Sequence, residues 1–233
     1  LFRSTWQPDS ATRFTLLTNF QNEPDLGYYG WLPREGTVTS FRDADGNAHT
    51  LSTHFNDGEA SNKFSRNQKM VGYSFEHAFN DTWTVRQNLR YSTVKSDFRF
   101  IYGSGISSQP WMLSRGFVQS QEDLSSFDVD TQAQARFTTA DIAHTLLMGV
   151  DYTRMRDDIN SWYGTASDLD MNNPVYGNDT ITNLSPYSVL DRQKQTGLYM
   201  QDQAEWNRWV LTLGGRYDWA NVVNKEPLTD TRF

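Results

Sequence analysis

Apolar and polar residues alternate with a period of two along most of this 233-residue chain. In segment 83–91 the apolar or aromatic positions are Trp83, Val85, Leu89 and Tyr91, and the positions between them include Thr84, Arg86, Asn88 and Arg90. Segments 127–137 and 209–219 alternate in the same way. Successive side chains of a strand point to opposite faces, so each segment is predicted to be a strand with one apolar face and one polar face. No long stretch has the i, i+3, i+4, i+7 apolar spacing of an amphipathic helix.

The alternating segments divide the chain into about eight predicted strands joined by turns and polar loops. We predict strands at 1–7, 12–22, 64–79, 82–102, 117–138, 141–163, 188–206 and 208–221. Short turns alternate along the chain with long loops, which are expected at about 23–63, 103–116 and 164–187. Because a short turn can join only antiparallel neighbours, the chain is predicted to be all-β and folded as an antiparallel meander.

Strand length and aromatic placement favour a transmembrane β-barrel. Many predicted strands have about 15 to 22 residues, whereas a globular strand usually has about five or six and a membrane strand needs about 9–11. Aromatic residues occur beside the short turns, at Phe79, Trp83, Phe137, Trp206 and Trp209, and again about one membrane thickness further along, at Tyr91, Tyr217 and Trp219. Two aromatic girdles and alternating loop lengths are typical of outer-membrane barrels. A soluble antiparallel sandwich with an aromatic core is the alternative.

In such a barrel the alternation also assigns the two faces of the sheet. We expect lipid to contact Val85, Leu89, Val129, Ala133, Leu211 and Leu213. The residues expected to face the lumen are Arg86, Asn88, Asp130, Gln132, Thr212 and Arg216.

Composition excludes several other classes of protein. No apolar run approaches the roughly 18 residues of a membrane-spanning helix. The 14% of aromatic residues argues against disorder. A net charge of -7 leaves no basic surface for a phosphate backbone, so no nucleic-acid partner is expected. Cysteine is absent, which excludes thiolate metal sites and cysteine nucleophiles.

Enzyme and metal motifs are missing as well, so we predict no enzyme, no metal site and no cofactor. The chain has four histidines, and none of them has the HExxH spacing. The stretch from Asp43 to Gly46 resembles part of a calcium loop, but the glycine comes too early, so a polar hairpin turn is the better interpretation. Asp157 and Asp158 cannot share a site by spacing alone, because adjacent strand residues point to opposite faces.

Aromatic residues with polar tips are concentrated at the loop ends of the predicted strands. They are Tyr28, Tyr29, Trp31, Tyr102, Trp111, Trp162 and Tyr163. Such side chains suit a ligand that is partly apolar and partly amide. An ordinary interfacial girdle is the other explanation of the same pattern.

Four segments give the chain a specific resemblance to a known family. They are FQNEPDLGYYGWLPREGTV at 20–38, RNQKMVGYSFEHAFNDTWTVRQNLRYS at 66–92, HTLLMGVDYTRMRDDINSWYG at 144–164 and RQKQTGLYMQDQAEWNRWVLTLGGRYDW at 192–219. The sequence resembles the TonB-dependent ferric hydroxamate siderophore receptors, the ferrichrome and ferrioxamine receptor family. The resemblance is weaker at 39–63, 103–116 and 165–187, which are the predicted outer loops.

The resemblance implies a plugged barrel of about 22 strands in the bacterial outer membrane. We expect residues 1–233 to be an internal part of that barrel, with the plug domain and the other strands absent. The ligand would be an iron(III)–siderophore complex, and TonB would act through the missing plug.

Family contacts with the ligand carry over to four positions of this sequence: Tyr29 and Trp31 in the GYYGW motif, Tyr102, and Tyr163 in the INSWYG motif. Ser104 stands where the ferrichrome receptors have a second tyrosine, and the following loop is shorter and lacks cysteines. These departures mildly favour a linear hydroxamate such as ferrioxamine B. The rival functions are a passive porin or sugar channel, and a soluble β-sandwich carbohydrate-binding module.

Overall fold

The chain forms one long antiparallel sheet in a computed structural model, which describes residues 1–27, 30–177, 180–226 and 231–232. The strands are β1 (Phe2–Trp6), β2 (Thr12–Glu23), β3 (Phe41–Arg42), β4 (Ala48–His49), β5 (Lys63–Ala78), β6 (Trp83–Ile106), β7 (Met112–Thr139), β8 (Ile142–Asp170), β9 (Ile181–Trp206), β10 (Trp209–Glu226) and β11 (Thr231–Arg232). Among these residues, no helix is long and apolar enough to cross a membrane.

Each strand of the sheet pairs with its neighbour in sequence, in the order β1-β2-β5-β6-β7-β8-β9-β10-β11. The hairpin β3–β4 lies within the connection between β2 and β5 and forms a separate two-stranded sheet. The eight predicted strands correspond to β1, β2 and β5–β10, so the all-β antiparallel meander is confirmed. Two loop predictions were wrong in extent, because β6 and β7 continue into 103–116 and β8 and β9 continue into 164–187.

The pairing register confirms the two predicted faces. Val85 lies opposite Ala133 and Leu89 lies opposite Val129, whereas Arg86 lies opposite Gln132. Directly opposed residues of an antiparallel pair share a face. The sheet therefore has an apolar face, which carries Val85, Leu89, Val129 and Ala133, and a polar face, which carries Arg86, Asn88, Asp130 and Gln132.

Aromatic rings form two rows on the apolar face. At the short-turn end, the Phe137 ring stacks on His144 with centroids 4.9 Å apart, and Trp206 lies opposite Trp209. The other row runs through Tyr91, Phe127, Tyr152 and Trp219. The predicted girdles are therefore continuous across neighbouring strands.

Buried apolar residues are found mainly at the loop end, beyond the second aromatic row. One cluster contains Phe41, Phe55, Leu113, Leu169 and Met171, and the other contains Ile101, Phe117 and Ala166. Between the two aromatic rows the apolar side chains are instead largely exposed, as at Val150, Leu198, Met200 and Leu213. Such a distribution suits a sheet that is solvated by lipid over its middle and packed by protein only at one end.

Candidate ligand site at the loop end of the sheet

Two of the four predicted site residues, Tyr102 and Tyr163, share the polar face of the sheet. Tyr102 lies opposite Gly116 on β7, and Tyr163 lies opposite Val118, two residues further along the same strand. A side chain at Gly116 would place its Cβ 2.7 Å from the Tyr102 ring, so the glycine leaves the space that the ring occupies. Tyr163 is 48% exposed and free to contact a ligand. The fold thus brings these tyrosines from β6 and β8 to one level of the same surface.

Trp31 reaches the end of the Tyr102 strand from the long connection between β2 and β5. Trp31, Leu32 and Pro33 line a cavity of about 100 Å³ together with residues 103–105. The Trp31 side chain is 67% exposed, so its ring projects beyond this contact. Tyr29, the fourth predicted site residue, lies outside the described residues.

A buried ion pair fixes this connection to the sheet. Arg115 Nη1 donates to Glu59 Oε1 at 2.8 Å, and each side chain is only 1% exposed. Glu59 Oε2 also accepts the backbone N–H of Gly177, and Arg115 Nε donates to the Ser167 carbonyl. Two loops and a strand therefore meet at one carboxylate. The sequence gives no signal for this contact, because its members are more than 50 residues apart.

Hydrogen bonds from two further side chains hold the same connection in register. Asp57 Oδ2 accepts the backbone N–H of Gly103 at 2.9 Å. Asn62 exchanges two hydrogen bonds with the backbone of Ile101, at 2.7 and 2.9 Å. Because Gly103 directly follows Tyr102, these contacts position the segment that carries Trp31 relative to that tyrosine.

The predicted hairpin turn at 43–46 is confirmed by β3 and β4. Asp43 Oδ1 accepts the backbone N–H groups of Asp45 and Asn47, and its other oxygen lies 2.7 Å from His49 Nε2. The hydrogen bond to His49 lowers the pKa of Asp43 to about 2. This carboxylate caps a turn with all its contacts inside the hairpin.

Several charged residues on the polar face between the aromatic rows are paired with one another. Arg216 donates to Asp151 and to Asp218, and the Tyr199 hydroxyl donates to Asp130 at 2.6 Å. Arg86 pairs with Glu76 at 2.5 Å. Within the described ranges, no group of His, Cys, Asp or Glu side chains could hold a metal ion. The polar face therefore offers hydrogen bonds and charge, with the aromatic residues at its loop end.

A family model described as TonB dependent receptor-like, beta-barrel matches residues 5–233. The chain belongs to the TonB-dependent receptor family.

Individual members of the family are similar to the chain in sequence and in structure. The chain is 48% identical to the ferrichrome outer membrane transporter/phage receptor of Escherichia coli K12 over 93% of its length, and 37% identical to the ferrioxamine B receptor of Salmonella typhimurium SL1344 over 98%. These matches cover 32% of each relative, so the chain spans about a third of their length. The siderophore receptor PiuA of Acinetobacter baumannii has the same fold, with a TM-score of 0.73 at 16% identity, covering 99% of this chain and 36% of that one.

As part of a TonB-dependent receptor, the sheet is a section of barrel wall in the bacterial outer membrane. Its apolar and polar residues lie on opposite faces, as the alternation predicted, and the alternation assigns the apolar face to lipid and the polar face to the lumen. Long loops of outer-membrane barrels lie on the extracellular side. Tyr102, Tyr163 and Trp31 therefore lie at the outer mouth, beyond the second aromatic row.

Proposed function

We propose that this chain is part of an outer-membrane receptor that takes up ferric hydroxamate siderophores, of the ferrioxamine B or ferrichrome type, by TonB-coupled energy. The observation that supports this proposal is the 48% identity to a ferrichrome transporter together with the 37% identity to a ferrioxamine B receptor. The other strands and the plug domain belong to the rest of the receptor. A passive porin, a sugar channel and a soluble carbohydrate-binding module are not favoured by the family membership.

The chemistry at the mouth fits a ligand whose iron is already fully coordinated. Three hydroxamates saturate iron(III), so the receptor needs no metal ligands and acts without a cofactor and without enzymatic chemistry. Aromatic rings with polar tips bury large area at a low cost in conformational entropy. Tyr102 and Tyr163 on the wall and Trp31 from the loop, with Tyr29 two residues before Trp31 in the sequence, would contact the apolar linkers and amide groups of the siderophore.

Binding alone cannot move a ligand against its gradient. A ligand that binds equally well before and after a conformational change does not shift that change. The receptor therefore needs an external source of energy, which TonB would supply through the plug. This chain contributes the wall and part of the binding surface to that process.

The direct test is siderophore binding to the full-length receptor and its Trp31→Ala variant. Loss of a buried aromatic anchor should cost about 2 kcal/mol, roughly thirtyfold in affinity. Trp219→Ala is the matched control, because it removes a tryptophan from the lipid-facing row and should leave binding unchanged. Ferrichrome and ferrioxamine B are measured side by side. Unchanged affinity of correctly folded Trp31→Ala for both ligands would remove Trp31 from the site.

A further inference from the structure

Three carboxylates face the lumen beyond the second aromatic row: Glu122 on β7, Asp157 on β8 and Asp191 on β9. Asp157 and Asp191 are directly opposite each other in the pairing register, and Glu122 lies one same-face position away. Like charges directly opposite each other destabilise a sheet. The arrangement therefore opposes folding and calls for another explanation.

Two oxygens of this cluster are buried without a hydrogen-bond partner. They are Oδ1 of Asp157 and Oδ1 of Asp191, and the Asp157 residue is 9% exposed. Glu122 Oε2 accepts a hydrogen bond from Ser96 Oγ at 3.2 Å. Burial raises the pKa of Asp157 to about 6, and the charge of Glu122 and a side-chain hydrogen bond between Asp157 and Glu122 add to this shift. Buried acceptors left unpaired are costly, so these oxygens indicate a missing donor.

The basic side chains of the same strand segments do not supply that donor, because they lie on the opposite face. Lys95 pairs there with Asp123 at 2.7 Å, and Arg156 pairs there with Asp158 at 2.7 Å. Arg192 follows Asp191 directly and so also points away from the lumen. The uncharged side chains of Gln193 on β9 and Asn224 on β10 share the lumen face with the cluster. Within the described part of the chain, the cluster is thus acidic on the lumen side without a cation beside it.

The cluster lies on the same face as Tyr163, further along the wall from the outer mouth. Asp157 is six residues from Tyr163 on the same strand and face, about 20 Å along β8, with only Ile159 and Ser161 between them on that face. The described residues form no group suited to a metal ion. A primary ammonium has three donors and no acceptor, which suits a site made only of acceptors.

We propose that Glu122, Asp157 and Asp191 form a subsite for a primary ammonium group carried by the ferric hydroxamate ligand. This inference rests on the proposed function and narrows its substrate class to siderophores with a free amine chain, such as ferrioxamine B. The iron centre lies against the aromatic residues, and the amine chain follows the lumen wall toward the carboxylates. A neutral cyclic hydroxamate such as ferrichrome gains nothing from this subsite.

The experiment compares ferrioxamine B with its N-acetylated form, which has the same iron centre and no charge. The affinity of each ligand is measured for the full-length wild-type receptor, for Asp157→Asn and for Asp191→Asn. A charge-assisted hydrogen bond predicts a loss of about tenfold or more for the amine and no change for the acetylated form. Asp158→Asn is the matched control, because the neighbouring carboxylate faces away from the lumen and should affect neither ligand.

The pH dependence gives a second readout on the wild-type receptor. Asp157 takes up a proton as the pH falls through about 6 and its charge is lost, so affinity for the amine should fall between pH 7 and pH 5. Affinity for the acetylated form should stay constant over that range.

Equal losses for the two ligands, or none, would overturn the ammonium subsite. The first result would mean that the carboxylates pair with a basic group of the receptor itself. Failure of the wild-type receptor to bind any of these siderophores would instead refute the proposed function. Binding of ferrichrome and acetylated ferrioxamine B, with no effect of either Asn variant, would leave the proposed function standing and remove the subsite alone.

Discussion

Replacing Met148 by arginine tests which face of the sheet meets lipid. Met148 is on the apolar face of β8, four residues from His144 in the first aromatic row and four from Tyr152 in the second. Four residues span about 13 Å along a strand, or about 10 Å of depth at a tilt of roughly 40°. The position is therefore close to the membrane midplane, where an arginine costs about 2–4 kcal/mol. That cost lowers the folding equilibrium constant by roughly 30-fold to 700-fold.

The assay is urea-dependent unfolding of the full-length receptor in lipid vesicles, followed by tryptophan fluorescence. Leu147→Arg is the matched variant, because Leu147 lies opposite Gln134 and Gln201 on the polar face. An arginine there is expected to change stability by less than about 1 kcal/mol. Met148→Leu controls for the loss of the methionine itself. Equal stability of the two arginine variants, or greater damage from Leu147→Arg, would refute the assignment of the faces.

Two further predictions concern contacts within the wall and the loops. A Cβ at Gly149 would overlap the Tyr199 ring, whose hydroxyl is hydrogen-bonded to Asp130, so Gly149→Ala should lower the free energy of unfolding by about 1–3 kcal/mol in the same assay. Gly215→Ala is the control, because a Cβ at Gly215 meets open space and should be tolerated. Equal effects of the two substitutions would contradict the prediction. Glu59→Ala removes the carboxylate that pairs with the buried Arg115 guanidinium and should cost about 3–5 kcal/mol of local stability, seen as faster hydrogen exchange in the loops. Adding Arg115→Met should restore most of the protection, and a double variant as unstable as the single one would argue against the ion pair.

The membrane part of the fold could be predicted from the sequence because its signals are local. Alternation of apolar and polar residues assigns both strand and face, and a short turn fixes the direction of the next strand. Both inferences hold at Val85 and Ala133, which lie opposite each other on one face. The outer ends could not be predicted in the same way. Residues 103–106 continue β6 because Asp57 and Asn62, more than 35 residues earlier, hold that end of the strand.

In the candidate site, too, local features could be predicted from the sequence and contacts between distant strands could not. The alternation of side chains along a strand correctly assigned Asp157 and its neighbour Asp158 to opposite faces. Alternation alone could not show that Asp157 lies next to Glu122 and Asp191, because their proximity depends on the register between three long strands. Family resemblance supplied Trp31, Tyr102 and Tyr163, and the fold adds that the two tyrosines share the lumen face.

The most direct test of the proposed function is uptake of radiolabelled iron by cells whose only hydroxamate receptor is the full-length protein. Iron is supplied as ferrioxamine B or as ferrichrome, with and without TonB. We expect binding in both backgrounds and accumulation inside the cell only when TonB is present. Accumulation that persists without TonB would contradict an energy-coupled receptor and favour a passive channel, and absence of both binding and accumulation would contradict a hydroxamate receptor.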